Sequence, residues 1–564
     1  MKKVRFCFAV AATCLLAACT KNEAPVSDVS SIDNVCYIQA QGGESTKAEI
    51  DNTSAAFTWS IGDQIAVYTS GGYKKSLSLD AGGSDSATFA FSEDIDADRA
   101  DFALFPASLV FDGSTVITAS ASAHSASGLA ITLPAEYYLS NIQDSSSPVP
   151  MIAANAPGSG LVFKHLGALL RFQLKNLPKQ TDVITFDFKG KKVQGVFTLT
   201  GVDPGTTSLV TEAASAGNDI ITVYNDVFTT FQDAIIVNIP VPTGTYTDVT
   251  ITSWDSDNNV INAITIPIRT DGDWVAARKG ARKRVASLPV FSISAEKKVV
   301  FAPGNLQATL STVAWSNSGG TQFWDASAWS FAPNQYTALG NTAVNALADP
   351  AEDDVVDLFS WIGASKAFSD GRKYGILKIV STSGTSSYVG NTKGEALLFD
   401  WGGNEIDAYQ AGTFYLLGSE DWNYILKNSE RSKTRCIKLQ LTTGSGTING
   451  LLIFPDQYTH PLDDAFSSDY LNRTATAFSG VTISLEDWAK LEKAGCVFLP
   501  ATGYRGYSEG NVILEESNIW YWTATSATDS GQAYALDIYD GNLIYNKKTA
   551  RYQGCAVRLA REVN

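Results

Sequence analysis

The residues best suited to chemistry lie at the end of this 564-residue chain. The run "NIWYWTATSATDSGQAYALDIYDGNLIYNKKTARYQGCAVRLAREVN" (518–564) gathers Tyr, Trp, Ser, Asn, Asp, Gln and Gly. That mixture suits recognition. Tyr and Trp rings give large contact area at small entropic cost, and Ser, Gly and Asn give adaptable hydrogen bonds, as in antibody paratopes. The same groups suit sugars, with flat rings for sugar faces and Asp, Asn and Gln for hydroxyls. The competing structural reading is a solvated hairpin whose rings merely cover its sheet.

Bond-making chemistry has little to draw on. The three His (124, 165 and 460) are far apart in sequence. No GxSxG nucleophile elbow occurs, and no Cys pair has CxxC spacing, so neither a metal site nor a cofactor is expected. The clusters "EDD" (352–354) and "LDD" (462–464) read as polar loops. A net charge of −16 argues against nucleic acid or an anionic membrane surface as partner.

The opposite terminus constrains where these residues are displayed. Lys2, Lys3 and Arg5 precede an apolar run from Phe6 to Leu16, too short to span a bilayer. Small residues then lead to Cys19, and "LAAC" (16–19) resembles a bacterial lipobox. The resemblance implies removal of residues 1–18, lipidation of Cys19 and an outer-membrane, surface-exposed lipoprotein whose only membrane contact is its lipid.

Residues 19–45 read as a polar tether or N-terminal strand. Short alternating segments with regular turn signals follow, as in "FTWSIGDQIAVYTS" (57–70), and predict a β-sandwich over 46–157. A second sandwich is expected over 158–291. Five of its residues in 278–284 are Lys or Arg, read as the solvated edge of a last strand. From 292 to 564 Trp becomes frequent and two helices enter, predicting an α+β unit. Ser419 is placed to cap one helix, with Trp422, Ile425 and Leu426 on its inner face. Ser484 and Asp487 form a capping arrangement on the other, Leu485, Trp488 and Leu491 share its face, and Gly495 stops it.

The first two units resemble the fimbrillins, subunits of the lipoprotein-derived type V pili of Bacteroidetes. The resemblance rests on the lipobox, "STKAEI" (45–50), "FTWSIGDQIAVY" (57–68), "FKHLGALLRFQL" (163–174) and the closing "KGARKRVASL". It implies two transthyretin-like sandwiches that partner other pilin subunits by donor-strand exchange, once an N-terminal strand is cleaved away. The family usually cleaves at Arg. None occurs between Cys19 and Arg99, which leaves Lys47 as the processing candidate. The family's C-terminal donor strand is here followed by a whole further unit, which suits a pilus tip or a protein that never polymerises.

That last unit resembles the C-type-lectin-like domains of Bacteroidetes surface proteins, including retroelement-diversified variable proteins. Matching pieces are "KKVVFAPGNLQ" (297–307), "WSFAPNQYTALG" (329–340), "DLFSWIG" (357–363), "GLLIFPD" (450–456), "DWAKLEKAGCVFLPATGYR" (487–505), "YWTAT" (521–525) and "GCAVRLAR" (554–561). The resemblance makes Trp522, Ala533, Leu536, Arg551, Gly554, Val557 and Arg558 scaffold positions. Those between them become ligand-binding candidates: Trp520, Ser526, Asp529, Ser530, Gln532, Tyr534, Tyr539, Asp540, Asn542, Tyr545 and Asn546. Glu-Pro-Asn, Gln-Pro-Asp and Trp-Asn-Asp calcium motifs are missing, so no calcium is expected in the site. The fold also implies a disulfide between Cys496 and Cys555, closing a loop of about sixty residues and contributing on the order of 4 kcal/mol. Three functions compete. The first is a tip adhesin for a glycan or protein on a host or bacterial surface. The second is a non-polymerising lipoprotein that captures polysaccharide. The third is an enzyme on a formylglycine-generating-like fold, disfavoured because Cys555 sits beside an apolar run.

Overall fold

The computed structural model describes residues 36–42, 59–69, 72–82, 86–92, 99–112, 115–116, 130–142, 150–154, 161–199, 208–210, 213–215, 217–270, 272–276, 281–316, 322–343, 345, 351–361, 377–378, 397, 400–427, 436–461, 477–506, 511–529 and 531–564. Cys19, Lys47 and Ser530 lie outside the described residues. The fold is mainly β, as a chain rich in Thr, Val and Tyr favours.

A seven-stranded sheet comes first, in the order Gly72–Lys75, Ala66–Thr69, Arg99–Phe105, Met151–Ala154, Leu161–His165, Cys36–Gly42, Ser86–Phe91. Side chains alternate across it. Val67, Ala103, Phe105, Ala153 and Phe163 pack under one face around Trp59, whose ring meets Phe89, Phe105 and Phe163 edge-on at 4.9, 5.1 and 5.4 Å. Ala66, Leu104 and Ile152 pack under the other face with Ile131, Leu133, Phe197 and Leu199. The earliest strand, Cys36–Gly42, lies inside the sheet, parallel to Leu161–His165 and antiparallel to Ser86–Phe91.

The strands interleave around residue 158. Leu161–His165 belongs to the first sheet, whereas Glu136–Tyr138 joins the next unit. That unit has two layers. Ile235–Val241, Ala168–Lys175 and Ala281–Ser287 form a three-stranded sheet. Val260–Pro267, Asp248–Trp254, Val183–Asp187, Ile220–Tyr224 and Glu136–Tyr138 form a five-stranded one. Strict alternation in Ala168–Lys175 sends Leu170, Phe172 and Leu174 into a shared core, where they meet Ile184, Phe186, Val223 and Ile251. The basic run falls on Ala281–Ser287, an edge strand with Lys283 exposed, where cations discourage further pairing.

Residues beyond Val290 form the third unit. Among the described residues its α-helices are Ser419–Lys427 and Leu485–Lys493. Trp422, Ile425 and Leu426 are buried as expected. Ser419, however, begins the helix instead of capping it: Asp421 Oδ2 accepts from the Gly418 backbone N–H at 2.8 Å, and Ser419 N donates to Thr525 Oγ1. Ser484 does cap the second helix, accepting from Asp487 N at 3.0 Å. Trp488 and Leu491 are buried while Leu485 stays exposed. Gly495 stops the helix at φ +86°, where a Cβ would lie 2.1 Å from Pro289.

The chain ends inside this unit. Leu559–Glu562 pairs with Lys298–Phe301 on one side and Tyr415–Leu416 on the other. Val563 packs with Ile261, Val290 and Val300 in a small core joining the second and third units. Lys179 N donates to Val563 O, and Gln180 Nε2 donates to Glu562 O.

Candidate functional site

The stretch 519–550 folds into an antiparallel three-stranded sheet, Ile519–Ser526, Gln532–Tyr539 and Asn542–Ala550. A tight turn at Asp540 and Gly541 (φ +80°) joins the last two strands. Ile519, Tyr521, Leu536 and Ile538 enter one core, and Trp520, Trp522, Ala533 and Ala535 enter another. Simple alternation produces the two sets, because this sheet is buried on both faces and successive side chains enter opposite cores. The extra residue lies in Asn542–Ala550, where Lys547 and Ile544 oppose Ala535 and Asp537.

Buried polar groups hold this sheet. Arg558 Nε and Nη2 donate to Asn305 Oδ1 at 3.0 and 2.9 Å, Nη2 also reaches Phe498 O at 3.1 Å, and Tyr521 Oη donates to the same Asn305 Oδ1 at 3.0 Å. Trp361 Nε1 donates to Thr523 O, Trp522 Nε1 to Phe359 O, and the Arg551 guanidinium lies 4.4 Å from the Trp361 ring centre. A fully buried cation needs this many acceptors to offset its lost hydration. Burial still depresses Arg558 and Arg505 to about 10.

The candidate contacts do not converge on one point. Gln532 and Tyr539 stand at opposite ends of one strand, seven steps and so about 23 Å apart. At one end, Ser526, Gln532 and Tyr534 are half-buried, and exposed Asp529 is bridged by Lys548 at 2.8 Å. At the other end, Asp540 Oδ1 accepts from Phe478 N at 2.8 Å and Lys438 Nζ donates to Tyr539 O, so this tip is tied to its neighbours. Asn542 and Asn546 are exposed. Tyr545 packs against the core beneath the sheet. Trp520, 7% exposed, belongs to the core rather than the free surface.

A more concentrated patch forms around the edge of Trp520. Tyr504, half-exposed, lays its ring 4.7 Å from the Trp520 ring. Across the strand pair stands Asp537, whose Oδ1 accepts from Asn518 Nδ2 at 2.9 Å and whose Oδ2 is 3.4 Å from Lys547 Nζ. That ammonium is also 5.9 Å from the Trp520 ring centre. Burial, with the nearby Cys555, Asp537 and Tyr552, raises the Tyr504 hydroxyl. Ile513, opposite Tyr504 in its hairpin, is exposed beside it. The patch therefore offers the Tyr504 ring, an aliphatic rim and the Lys547 ammonium, with Trp520 and Asp537 buried behind them. The sequence reading missed Tyr504, Asp537 and Lys547. The one local signal was the acidic residue in the otherwise apolar "ALDIY" (535–539).

Behind the patch, Asp357 is buried, and desolvation raises it to about 6 against the opposing pull of Leu339 N, Asn345 and Arg505. Arg505 Nη1 donates to Leu358 O at 2.9 Å and to Asn345 O at 3.2 Å.

The expected disulfide does not form. Cys496 and Cys555 are both free and buried. Cys496 lies in a core with Trp488 and Phe498. Cys555 lies in a different one with Trp522 and Val557, and it pairs with Phe359 ahead of the last strand. Burial pushes both thiols up. Among the described residues no group of His, Cys, Asp and Glu is arranged to hold a metal ion.

No family model matches the sequence, and no curated protein matches it. Among solved structures, 16 chains match. One is a candidate cell adhesion protein from Bacteroides ovatus, 12% identical over 44% of this chain and 91% of that chain, with a TM-score of 0.28. Another is a fimbrial protein from Bacteroides ovatus, 12% identical over 93% of this chain and 97% of that chain, with a TM-score of 0.19. A third is the tip fimbrial protein Mfa3 from Porphyromonas gingivalis with C-terminal truncation, 8% identical over 45% of this chain and 94% of that chain, with a TM-score of 0.19.

Proposed function

We propose that this chain is a cell-surface adhesin, a terminal subunit of a pilus, with two transthyretin-like sandwiches carrying a C-type-lectin-like head that binds an external ligand. The observation that carries the reading is the place of Cys36–Gly42, the first described strand, as an interior strand between Leu161–His165 and Ser86–Phe91. Its removal would leave two facing edges whose side chains Phe89, Phe91 and Phe163 line the groove together with Trp59. Such a groove accepts a strand from another subunit, main-chain bonds supplying affinity and alternate pockets supplying specificity.

The other end of the chain has the opposite character. Leu559–Glu562 is flanked by strands on both sides, so donating it would dismantle the head. A subunit that accepts a strand and keeps Leu559–Glu562 within its own sheet suits the end of a filament. The head then points outward, with Tyr504, Ile513 and Lys547, backed by buried Trp520 and Asp537, together with Asp529, Gln532 and Tyr534, as its contact surface.

Two buried thiols in separate cores are a poor basis for a formylglycine-generating chemistry, which needs a reactive Cys pair. The test is the state of the cell-borne protein. Mass spectrometry of its N-terminus and co-purification with pilins should show loss of the residues through Lys47 and association with other subunits. A lipidated chain that keeps residues 19–47 and never associates would leave the polysaccharide-capture reading instead. A screen of the purified chain against arrayed glycans and surface proteins addresses the ligand.

A further inference from the structure

The outward face of the five-stranded sheet in the second unit carries an ordered pattern that the adhesin reading does not use. Its register aligns side chains across strands into rows. Tyr138 lies opposite Tyr224, Tyr224 opposite Val183, and Val183 opposite Trp254. Directly beside this row runs a second: Glu136, Thr222, Thr185 and Thr252. A third follows with Ile220, Asp187, Thr250 and Thr265. The alternate residues, Ile184, Phe186, Val223 and Ile251, are the core, so the rows face solvent.

The aromatic row is open. Tyr138 is 56% exposed, and Tyr224 and Trp254 are half-buried. The Tyr138 and Tyr224 rings stand 5.7 Å apart. With strands about 4.8 Å apart, the row from Tyr138 to Trp254 spans roughly 14 Å. Trp254 is held in place, its Nε1 donating to Thr185 Oγ1 at 2.9 Å. It is followed directly by Asp255, which anchors the last unit through Arg561. The platform therefore continues up to a fixed junction.

Chemistry selects the occupant. An aromatic row bordered on one side by Thr-bearing rows offers ring faces for C–H surfaces and Thr groups for hydroxyl exchange. Half-exposed Thr side chains beside the rings, with Thr250 and Thr265 bonded to each other at 2.8 Å, make this a polar face rather than the contiguous apolar patch that a protein partner covers. The carboxylates at the margin, Glu136, Asp182, Asp187 and Asp226, repel an anionic polymer, and Lys189 is already engaged with Asp187 at 2.8 Å. We propose that this face is a second binding site, taking an uncharged polysaccharide laid across the strands along Tyr138, Tyr224 and Trp254. The site does not depend on the function proposed for the head.

The test is affinity electrophoresis and calorimetry of the purified full chain against soluble mannan, starch and laminarin, with alginate as the anionic comparison. At least one uncharged probe should bind and alginate should not. The double variant Tyr138→Ala/Tyr224→Ala should weaken binding at least about tenfold, an order of magnitude set by the loss of two contact rings. Tyr138 is exposed and Tyr224 half-buried on the outer face of the sheet, so circular dichroism should be unchanged and melting should shift little. Trp254→Phe, which keeps a ring but loses the hydrogen bond, should retain part of the binding. Tyr504→Ala in the head should leave it intact, which separates this site from the head patch. Failure of every uncharged probe, preference for alginate, or equal binding by the double variant would overturn the proposal. So would a dimer in light scattering that the double variant abolishes, since the occupant would then be a second copy of this chain.

Discussion

Arg561 and Asp255 form a buried ion pair, Nη1 to Oδ2 at 2.9 Å, that fastens the last strand of the chain to the second unit. Each side chain is only 9% exposed. Asp255 Oδ1 meanwhile accepts from the backbone N–H groups of Asp257 and Asn259, so one carboxylate shapes a turn and clamps a junction. Removing Arg561 would strand that charge. Arg561→Ala is expected to cost about 3 kcal/mol, and the double variant with Asp255→Asn should recover part of the loss, because Asn keeps an acceptor for the turn. Urea unfolding followed by Trp fluorescence measures both. Equal stability of Arg561→Ala and the parent would remove the clamp from the account.

Cys496 and Cys555 should react as two independent buried thiols. Alkylation in native buffer should leave both unmodified, and alkylation in denaturant without reductant should label both. Peptide mapping reads each site. Labelling that requires reductant would restore the disulfide.

Asp357 sets a pH dependence whose sign follows from its raised value of about 6. The folded state holds this proton more tightly than the unfolded chain, whose carboxylate titrates near 4. Stability from this group is therefore present at low pH and is lost as pH rises from about 4 through about 6. The full loss is on the order of 3 kcal/mol. Asp357→Asn should flatten that part of the stability profile relative to the parent. Parallel profiles for the two proteins in that window would contradict the assignment.

The head patch predicts a separation of binding from folding. Tyr504 is half-exposed, so Tyr504→Ala should shift melting little while weakening the captured ligand at least about tenfold if its ring is a central contact. Lys547→Met should act in the same direction and reduce the salt dependence of binding. Unchanged affinity in both variants would move the site to the Asp529, Gln532 and Tyr534 end of the sheet.

The inserted strand makes a prediction of its own. A chain beginning at Gly43 lacks the partner of Leu161–His165 and Ser86–Phe91. It should bind a labelled peptide of residues 36–42 in fluorescence anisotropy, whereas the intact chain should not. A truncated chain that stays monomeric and ignores the peptide would argue against an acceptor groove.

Much of this molecule was legible along the chain because burial is periodic and local. The alternation in Ala168–Lys175 and the Trp488 and Leu491 spacing announced their elements before any partner was known. The positions that the family resemblance marked as scaffold, Trp522, Ala533, Leu536, Arg551, Gly554, Val557 and Arg558, are buried too. What only the tertiary structure decided depends on register. The extra residue of Asn542–Ala550 opposite Ala535 and Asp537 sets which cation Asp537 meets, and that cation is Lys547. Tyr504 reaches the same patch from a hairpin of its own. The Tyr138, Tyr224 and Trp254 row draws on strands more than a hundred residues apart. Pairing across strands is fixed by contacts between distant segments, and no window of sequence contains both partners.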